Sequence, residues 1–261
     1  MESKRYYYII TVQYLGFRFS GWQKQPGQKT IESMLQKTLK YILPQVTFKI
    51  LGAGRTDAKV SAVDAKFELF LTDYDIIDIP EFLELFNTNL PPDIRVRNCT
   101  ATNSKFNIIQ NAKNKEYCYY FAYGKKSHPF SAPFITTILT DLNILAMQEA
   151  AKLFVGEHCF RAYTVKHKES SNYIREIKAC SIVDNTELTA NFFPKQSYVL
   201  KIKGKGFIRY QIRMIMGALI QVGQGILTPE EIAASLKEGY PNVMTNIASG
   251  SGLILNNLNF E

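Results

Sequence analysis

The feature that most restricts the fold is an order of hydrophobic periodicities that runs through the chain twice. Arg5 to Tyr14 is dense in β-branched and aromatic residues, as a strand is. Thr30 stands where a helix N-cap would, and Ile31, Met34, Leu35, Leu39, Ile42 and Leu43 then share one helical face up to Pro44. Val46 to Leu51 forms a short strand. Val63, Ala65, Phe67 and Leu69 alternate with Asp64, Lys66 and Glu68, which predicts a half-buried strand. A helix opens at Pro80 to Leu85, and Pro91-Pro92 breaks the chain before a strand at Ile94 to Cys99. The order β-α-β-β-α-β is that of a ferredoxin-like unit.

The rest of the chain repeats it. Strands are expected at Tyr117 to Tyr123, Tyr173 to Val183 and Tyr198 to Lys203. A helix is marked by Leu142, Leu145, Ala146, Leu153 and Phe154, and another spans Phe207 to about Val222. Thr228-Pro229-Glu230-Glu231 combines a capping box with proline at the first helical position, and Leu253 to Leu258 closes as a strand. The expected architecture is α+β: two ferredoxin-like halves, 1–105 and 106–261, whose antiparallel sheets meet at a central basic cleft.

Composition limits what such a scaffold does. No apolar run approaches the ~20 residues of a membrane helix, and Met1-Glu2-Ser3-Lys4-Arg5 leads into a strand with no sign of a signal peptide. Cys99, Cys118, Cys159 and Cys180 are scattered without a CxxC pair, as expected of reduced cytosolic thiols and not of a zinc site. His128, His158 and His167 also lack metal-ligand spacing. The expectation is a soluble cytoplasmic protein. Lys and Arg number 31 against 23 Asp and Glu, for a net charge of +8, which favours a polyanionic partner such as nucleic acid.

The candidate chemistry centres on Gly52-Ala53-Gly54-Arg55-Thr56-Asp57-Ala58-Lys59-Val60-Ser61-Ala62, a polar segment between two apolar strands. Asp57, with Arg55 beside it, is placed to act as nucleophile or base; an aspartate capping a turn would look the same. On the helix expected from Phe207, apolar nearly all round, Arg209 and Arg213 stand four apart. A guanidinium buried there needs an anionic partner, and an Arg213–Asp57 pair would keep the aspartate ionised. Tyr117, among Lys113, Lys115 and Glu116 at the head of a strand, suits stacking on a base as well as ordinary cross-strand packing. Gly204-Lys205-Gly206 lacks the spacing of a phosphate loop. Lys125-Lys126 and Lys166-His167-Lys168 read as solvated loops that touch a phosphate backbone at most.

With these residues laid out, the chain resembles the TruA-type tRNA pseudouridine synthases over nearly its whole length. Tyr14 to Gln25 is similar to the family's YDGxxxxGWQxQ, and Gly54-Arg55-Thr56-Asp57-Ala58 to the start of its GRTDAGVHA segment. Asn89-Leu90-Pro91-Pro92-Asp93-Ile94 resembles NLPxDI, Lys115-Glu116-Tyr117-Cys118-Tyr119 resembles K/R-x-Y-x-Y, Phe207 to Gly217 resembles FxxxxVRxxxG, and Ala248 to Leu253 resembles APxxGL. The resemblance implies a homodimer that needs no cofactor and no metal. It also implies conversion of uridine to pseudouridine at tRNA positions 38 to 40 in the anticodon arm. Carried over by position, Asp57 is the nucleophile, Tyr117 stacks on the target base and Arg213 pairs with Asp57. Arg55, Arg18, Trp22, Lys24, Lys59 and Arg209 are expected to contact RNA.

Two stretches in particular depart from the family pattern. Lys59 and Ser61 replace a glycine and a histidine, and Phe106-Asn107-Ile108-Ile109 stands where FHAR is usual. A left-handed backbone at Lys59 would cost about 1 kcal/mol. Two other functions fit the same residues: a catalytically silent tRNA-binding protein on this scaffold, and a hydrolase of nucleosides or glycosides with an aspartate nucleophile.

Overall fold

The computed structural model describes residues 3–165 and 171–260, which divide into two compact units: Met1–Lys113 with Leu255–Glu261, and Asn114–Ile254. The first unit thus extends past the boundary drawn at residue 105 and takes the chain's last strand residues. Lys113 explains part of this, because its amide donates to the Asn259 carbonyl at 2.9 Å. The Lys166-His167-Lys168 loop lies outside the described residues. Among the described residues are ten strands and five α-helices, none of them long and apolar enough to cross a membrane.

The first unit runs β1 (Arg5–Tyr14), α1 (Ile31–Ile42), β2 (Thr47–Gly52), β3 (Ser61–Thr72), α2 (Ile79–Asn89) and β4 (Ile94–Thr102). β1 lies between β3 and β4, antiparallel to both, and β2 runs antiparallel to the Phe67–Thr72 half of β3. The C-terminal strand β10 (Leu253–Asn259) also pairs with β3. Ile10 and Val12 on β1, and Ala65, Phe67, Leu69 and Leu71 on β3, are buried at alternate positions, as the period of a pleated strand demands. Ile31, Leu35 and Leu39 of α1 and Phe82 and Phe86 of α2 are buried at helical spacing.

Caps set the helix ends. Thr30 Oγ1 accepts the Ser33 amide and Ser33 Oγ accepts the Thr30 amide, a capping box that leaves fewer orphan donors in the first turn of α1. Asn87 at the end of α2 exchanges two 2.9 Å hydrogen bonds with the Val96 backbone, which locks α2 onto β4.

The second unit contains β5 (Asn114–Tyr123), β6 (Thr136–Ile138), α3 (Ile144–Lys152), β7 (Gly156–Cys159), β8 (Ile174–Asp184), β9 (Tyr198–Gly204), α4 (Gln211–Gly223) and α5 (Pro229–Ser235). Its antiparallel strands run in the order β5-β9-β8-β7, with β6 parallel to β5. α4 is buried along nearly its whole length and packs on α3. Thr228 and Glu231 form the expected capping box of α5, with Pro229 at its first position.

One helix boundary differs from expectation in a way that matters for the site. The helix expected from Phe207 begins at Gln211, because Tyr210 adopts a left-handed backbone (φ 64°) that a right-handed helix cannot include. The Gln211 side-chain oxygen turns back to accept the Ile208 amide at 2.9 Å, while the Gln211 backbone amide donates to the Ile208 carbonyl at 3.1 Å. Arg209 therefore precedes the helix, and the pairing of Arg209 with Arg213 on one helical face does not occur.

Candidate active site

In the first unit, Asp57 is half-buried on the loop 53–60 between β2 and β3. The loop is held by backbone. The Ala53 amide donates to the Lys66 carbonyl (2.9 Å), the Trp22 amide to the Thr56 carbonyl (3.0 Å) and the Lys59 amide to the Phe19 carbonyl (3.0 Å). The Val60 amide closes a turn onto the Asp57 carbonyl (3.2 Å). Two side chains add to this: Tyr14 Oη bonds with Thr56 Oγ1 at 2.9 Å, and Ser61 Oγ accepts the Gly16 amide at 2.9 Å.

Both glycines of the 16–21 segment are there because no side chain fits. A Cβ on Gly16 would lie 1.9 Å from the Val60 carbonyl oxygen. One on Gly21, whose φ is +95°, would lie 2.6 Å from the Thr56 carbonyl oxygen. The segment Tyr14 to Trp22 is thus a clamp on the Asp57 loop.

Trp22 belongs to that clamp and not to a nucleic-acid surface. It is only 3% exposed, packed between Tyr14 and Phe67 with ring centroids 6.1 and 6.3 Å away. A ring so enclosed has no face to offer a base, which corrects its assignment as an RNA contact. Arg18 is exposed but forks onto the Asp93 carboxylate, Nη2 to Oδ1 being 2.9 Å. The Asp93 carbonyl also accepts the Leu15 amide at 3.0 Å, so the motif ending in Ile94 braces the same clamp. Lys24 is exposed, with its ammonium 3.1 Å from Gln36 Oε1 on α1. Arg55 is exposed on the loop itself.

The two departures in this loop separate cleanly. Lys59 has φ 67°, the left-handed conformation that a glycine adopts without strain, and its ammonium lies 5.7 Å from the centre of the Phe17 ring. Ser61 is 4% exposed and does a structural job at Gly16, so a small hydroxyl there keeps the clamp shut.

In the second unit, Tyr117 lies on β5 opposite Ile202 of β9, its ring edge-on to Phe207 at 5.5 Å and 88°. Arg213 sits in the first turn of α4. Its Nε donates to the Ala248 carbonyl at 2.7 Å, and its own carbonyl accepts the Ala248 amide at 3.0 Å. The guanidinium lies 5.2 Å from the centre of the Tyr210 ring, and that of Arg209 lies 4.9 Å from the same ring. Arg209 is exposed and also donates to Tyr210 Oη at 3.2 Å. The left-handed Tyr210 therefore organises both arginines, a role that nothing in the spacing of 207–213 announced.

Gly217 explains the rest of that motif. A Cβ there would lie 2.0 Å from the Asn246 carbonyl oxygen, so α4 approaches the 246–248 segment at backbone distance and Arg213 can reach Ala248.

Several other groups are pushed out of the useful titration range by burial. The Tyr119 phenol rises to about 12, chiefly through burial, with the Thr136 hydrogen bond and the Arg213 charge pulling the other way. The Cys99 and Cys180 thiols rise to about 12 and that of Cys118 to about 11, so these three are not nucleophiles near neutral pH. The pKa of Lys115, two residues before Tyr117 in the same motif, is lowered by burial.

Known proteins are similar to this chain in sequence. A family model described as tRNA pseudouridine synthase matches residues 150–261. A tRNA pseudouridine synthase A 2 of Bacillus thuringiensis subsp. konkukian is 30% identical over 254 residues, covering 97% of this chain and 99% of the relative. A tRNA pseudouridine synthase A of Bacillus sp. (strain KSM-64) is 31% identical over 256 residues, with the same coverage. One from Limosilactobacillus fermentum is 28% identical over 258 residues, covering 97% and 96%. Similarity at this level from end to end means that the chain belongs to the tRNA pseudouridine synthase A family.

Proposed function

We propose that the protein isomerises uridine to pseudouridine in tRNA, at positions 38 to 40 of the anticodon arm, with Asp57 as nucleophile. The reaction breaks the N1–C1′ bond and forms a C5–C1′ bond; C5 loses its proton and N1 gains one, so there is no net oxidation and no second substrate. The observation that carries this reading is the clamped loop. Asp57 is half-buried on a loop whose backbone is held at Ala53, Thr56 and Lys59 by three hydrogen bonds from outside its own turn, which is the pre-organisation that attack at a fixed carbon requires.

The remaining roles follow from chemistry. Tyr117 offers the freed uracil a ring to stack on while it turns, and Arg213 holds Asp57 ionised. That requires Asp57 from one unit and Tyr117 and Arg213 from the other to serve one extruded uridine in a basic cleft. The β-α-β-β-α-β order of the first unit, with its antiparallel strands, supports the ferredoxin-like description of that half. Arg55, Lys24, Lys59 and Arg209 are the exposed cations assigned to the RNA backbone. On this reading the enzyme works as a cytoplasmic homodimer without cofactor.

Asp57→Asn tests the proposal on an unmodified tRNA transcript. The variant is expected to form no pseudouridine while still binding the transcript; undiminished conversion would rule Asp57 out as the nucleophile.

A further inference from the structure

The second unit carries an aromatic surface that the isomerisation does not use. Two loops build it, 124–135 after β5 and 185–197 between β8 and β9. Both are fixed from within. His128 Nδ1 accepts the Phe130 amide at 3.2 Å and the His128 carbonyl accepts the Ser131 hydroxyl at 2.7 Å. Asn185 exchanges side-chain hydrogen bonds of 2.8 and 3.0 Å with the Leu188 backbone, and its amide donates to the Ser197 carbonyl at 2.9 Å.

The rings of His128, Phe130 and Phe192 meet on these loops, with centroids 5.0 Å (His128–Phe130), 5.9 Å (His128–Phe192) and 5.6 Å (Phe130–Phe192) apart. Phe192 rests on Phe193 at 5.4 Å, and Phe193 packs against the buried cluster of Cys118, Tyr120, Ile135 and Val199. The platform is therefore rooted in the core, yet Phe130 is 67% exposed and Phe192 40%. Rings held rigidly in water forgo burial that would favour folding, and a cluster of them marks a surface that something covers.

The charges select what covers it. The two loops contain Lys125, Lys126 and Lys195 and one acid, Glu187, whose carboxylate is taken by Lys201 at 2.7 Å. A second copy meeting this face about a two-fold axis would bring two lysine-bearing patches of like charge together. Unpaired nucleotides fit better, since each has a flat base for a ring and a phosphate for an ammonium.

We propose that His128, Phe130 and Phe192, with Lys125, Lys126 and Lys195, bind unpaired nucleotides of the tRNA in addition to the target uridine. The proposal rests on the reading that tRNA is the substrate. Tyr117 is six residues, or ~20 Å along the strand, before Tyr123, where β5 ends and the platform's first loop begins, so a base on this platform is several nucleotides from a base at Tyr117, or in another part of the tRNA.

Binding of an unmodified tRNA transcript, followed by fluorescence anisotropy at several salt concentrations, tests this. Phe130→Ala with Phe192→Ala is expected to weaken binding about tenfold or more, while Phe130→Tyr with Phe192→Tyr keeps it, because the ring and not the apolar area matters. Lys125→Ala with Lys126→Ala is expected to lower the slope of log K against log salt by about 1 to 2. Pseudouridine formation at saturating tRNA should stay unchanged in all three.

Wild-type affinity in the alanine pair would overturn the proposal. So would a fall in sedimentation mass without loss of tRNA affinity, which would make the face a contact between copies. Loss of binding only to phosphatidylserine vesicles would overturn it too, by making the face a membrane contact. A wild-type protein that binds the transcript but makes no pseudouridine would instead refute the catalytic reading, and the binding comparison would still stand.

Discussion

The Asp57 loop and the Arg213 assembly solve the same positioning problem with different materials. In the first, backbone amides and carbonyls do the holding, and glycines make room for them. In the second, a guanidinium lies over an aromatic ring and reaches a carbonyl through its own Nε. The difference teaches where each is vulnerable. A backbone clamp tolerates changes of side chain but not an added Cβ, whereas a side-chain assembly fails when one side chain loses its shape.

The sharpest way to break that contrast is Gly16→Ala. Its Cβ would sit 1.9 Å from the Val60 carbonyl oxygen, so the clamp or the loop must move. A displacement of about 1 Å at a reacting group costs on the order of 100-fold in rate, and overpacking a further ~1–3 kcal/mol of stability. Pseudouridine formation and thermal unfolding measure the two. Gly206→Ala, in the second unit, is the matched control: nothing lies within 4 Å of its Cβ, and activity and stability should be unaltered. Equal behaviour of the two alanine variants would show that the clamp does not position Asp57.

Arg213→Lys tests the other half. Lysine keeps the charge but loses the planar group over Tyr210 and the Nε bond to Ala248. A hydrogen bond from a charged donor is worth roughly 1.5–3 kcal/mol, so kcat should fall about ten- to a hundredfold with the fold intact. Steady-state kinetics beside a circular dichroism spectrum decide it; an unchanged kcat would mean that charge alone suffices.

Much of the fold was legible because it rests on local signals. β1 runs over the expected residues, and Thr30 and Thr228 cap the helices they precede. The short β6 and β7 were not, since three or four residues carry too little periodicity. Among the candidate residues, Asp57 and Arg213 stood out by residue type and context, and Tyr117 by the motif around it. The clamp did not. Gly16 and Val60 are far apart in sequence, and only the folded chain shows their backbones in contact. The burial of Trp22, expected among the RNA contacts, was hidden for the same reason, and Tyr210 gave no sign of its left-handed turn.

Behind the clamp, Glu68 of β3 adds a term that depends on pH. It is 1% exposed; its Oε2 accepts the Ile108 amide at 3.4 Å, and Oε1 has no hydrogen-bond partner among the described residues. Burial raises its pKa above 4.5, with the Ile108 hydrogen bond opposing. For an acid the sign is that the folded state holds the proton longer, so stability is greatest below the unfolded pKa and declines as pH rises through the folded one. Glu68→Gln should remove that decline, its stability relative to wild type growing more favourable above pH 4.5. Urea unfolding across a pH series measures it, and parallel curves for the two proteins would exclude the effect.

The smallest expected change is at Lys59, where the clamp contains its own exception. The backbone there is left-handed (φ 67°), which costs a non-glycine residue about 1–2 kcal/mol. Lys59→Gly relieves the strain but gives the unfolded chain more freedom, worth about 0.4–1 kcal/mol in the opposite direction. The net gain should lie between zero and about 1.6 kcal/mol, or at most a few degrees in Tm for a chain this long. If the lysine also holds RNA, as proposed, the same substitution lowers the salt slope of tRNA binding by about 1. A rise in stability together with a weaker salt dependence would mean that the clamp gives up rigidity at this position for a phosphate contact. A rise in stability with unchanged binding would leave Lys59 as strain with no return, and the Asp57 loop would then be held by its backbone alone.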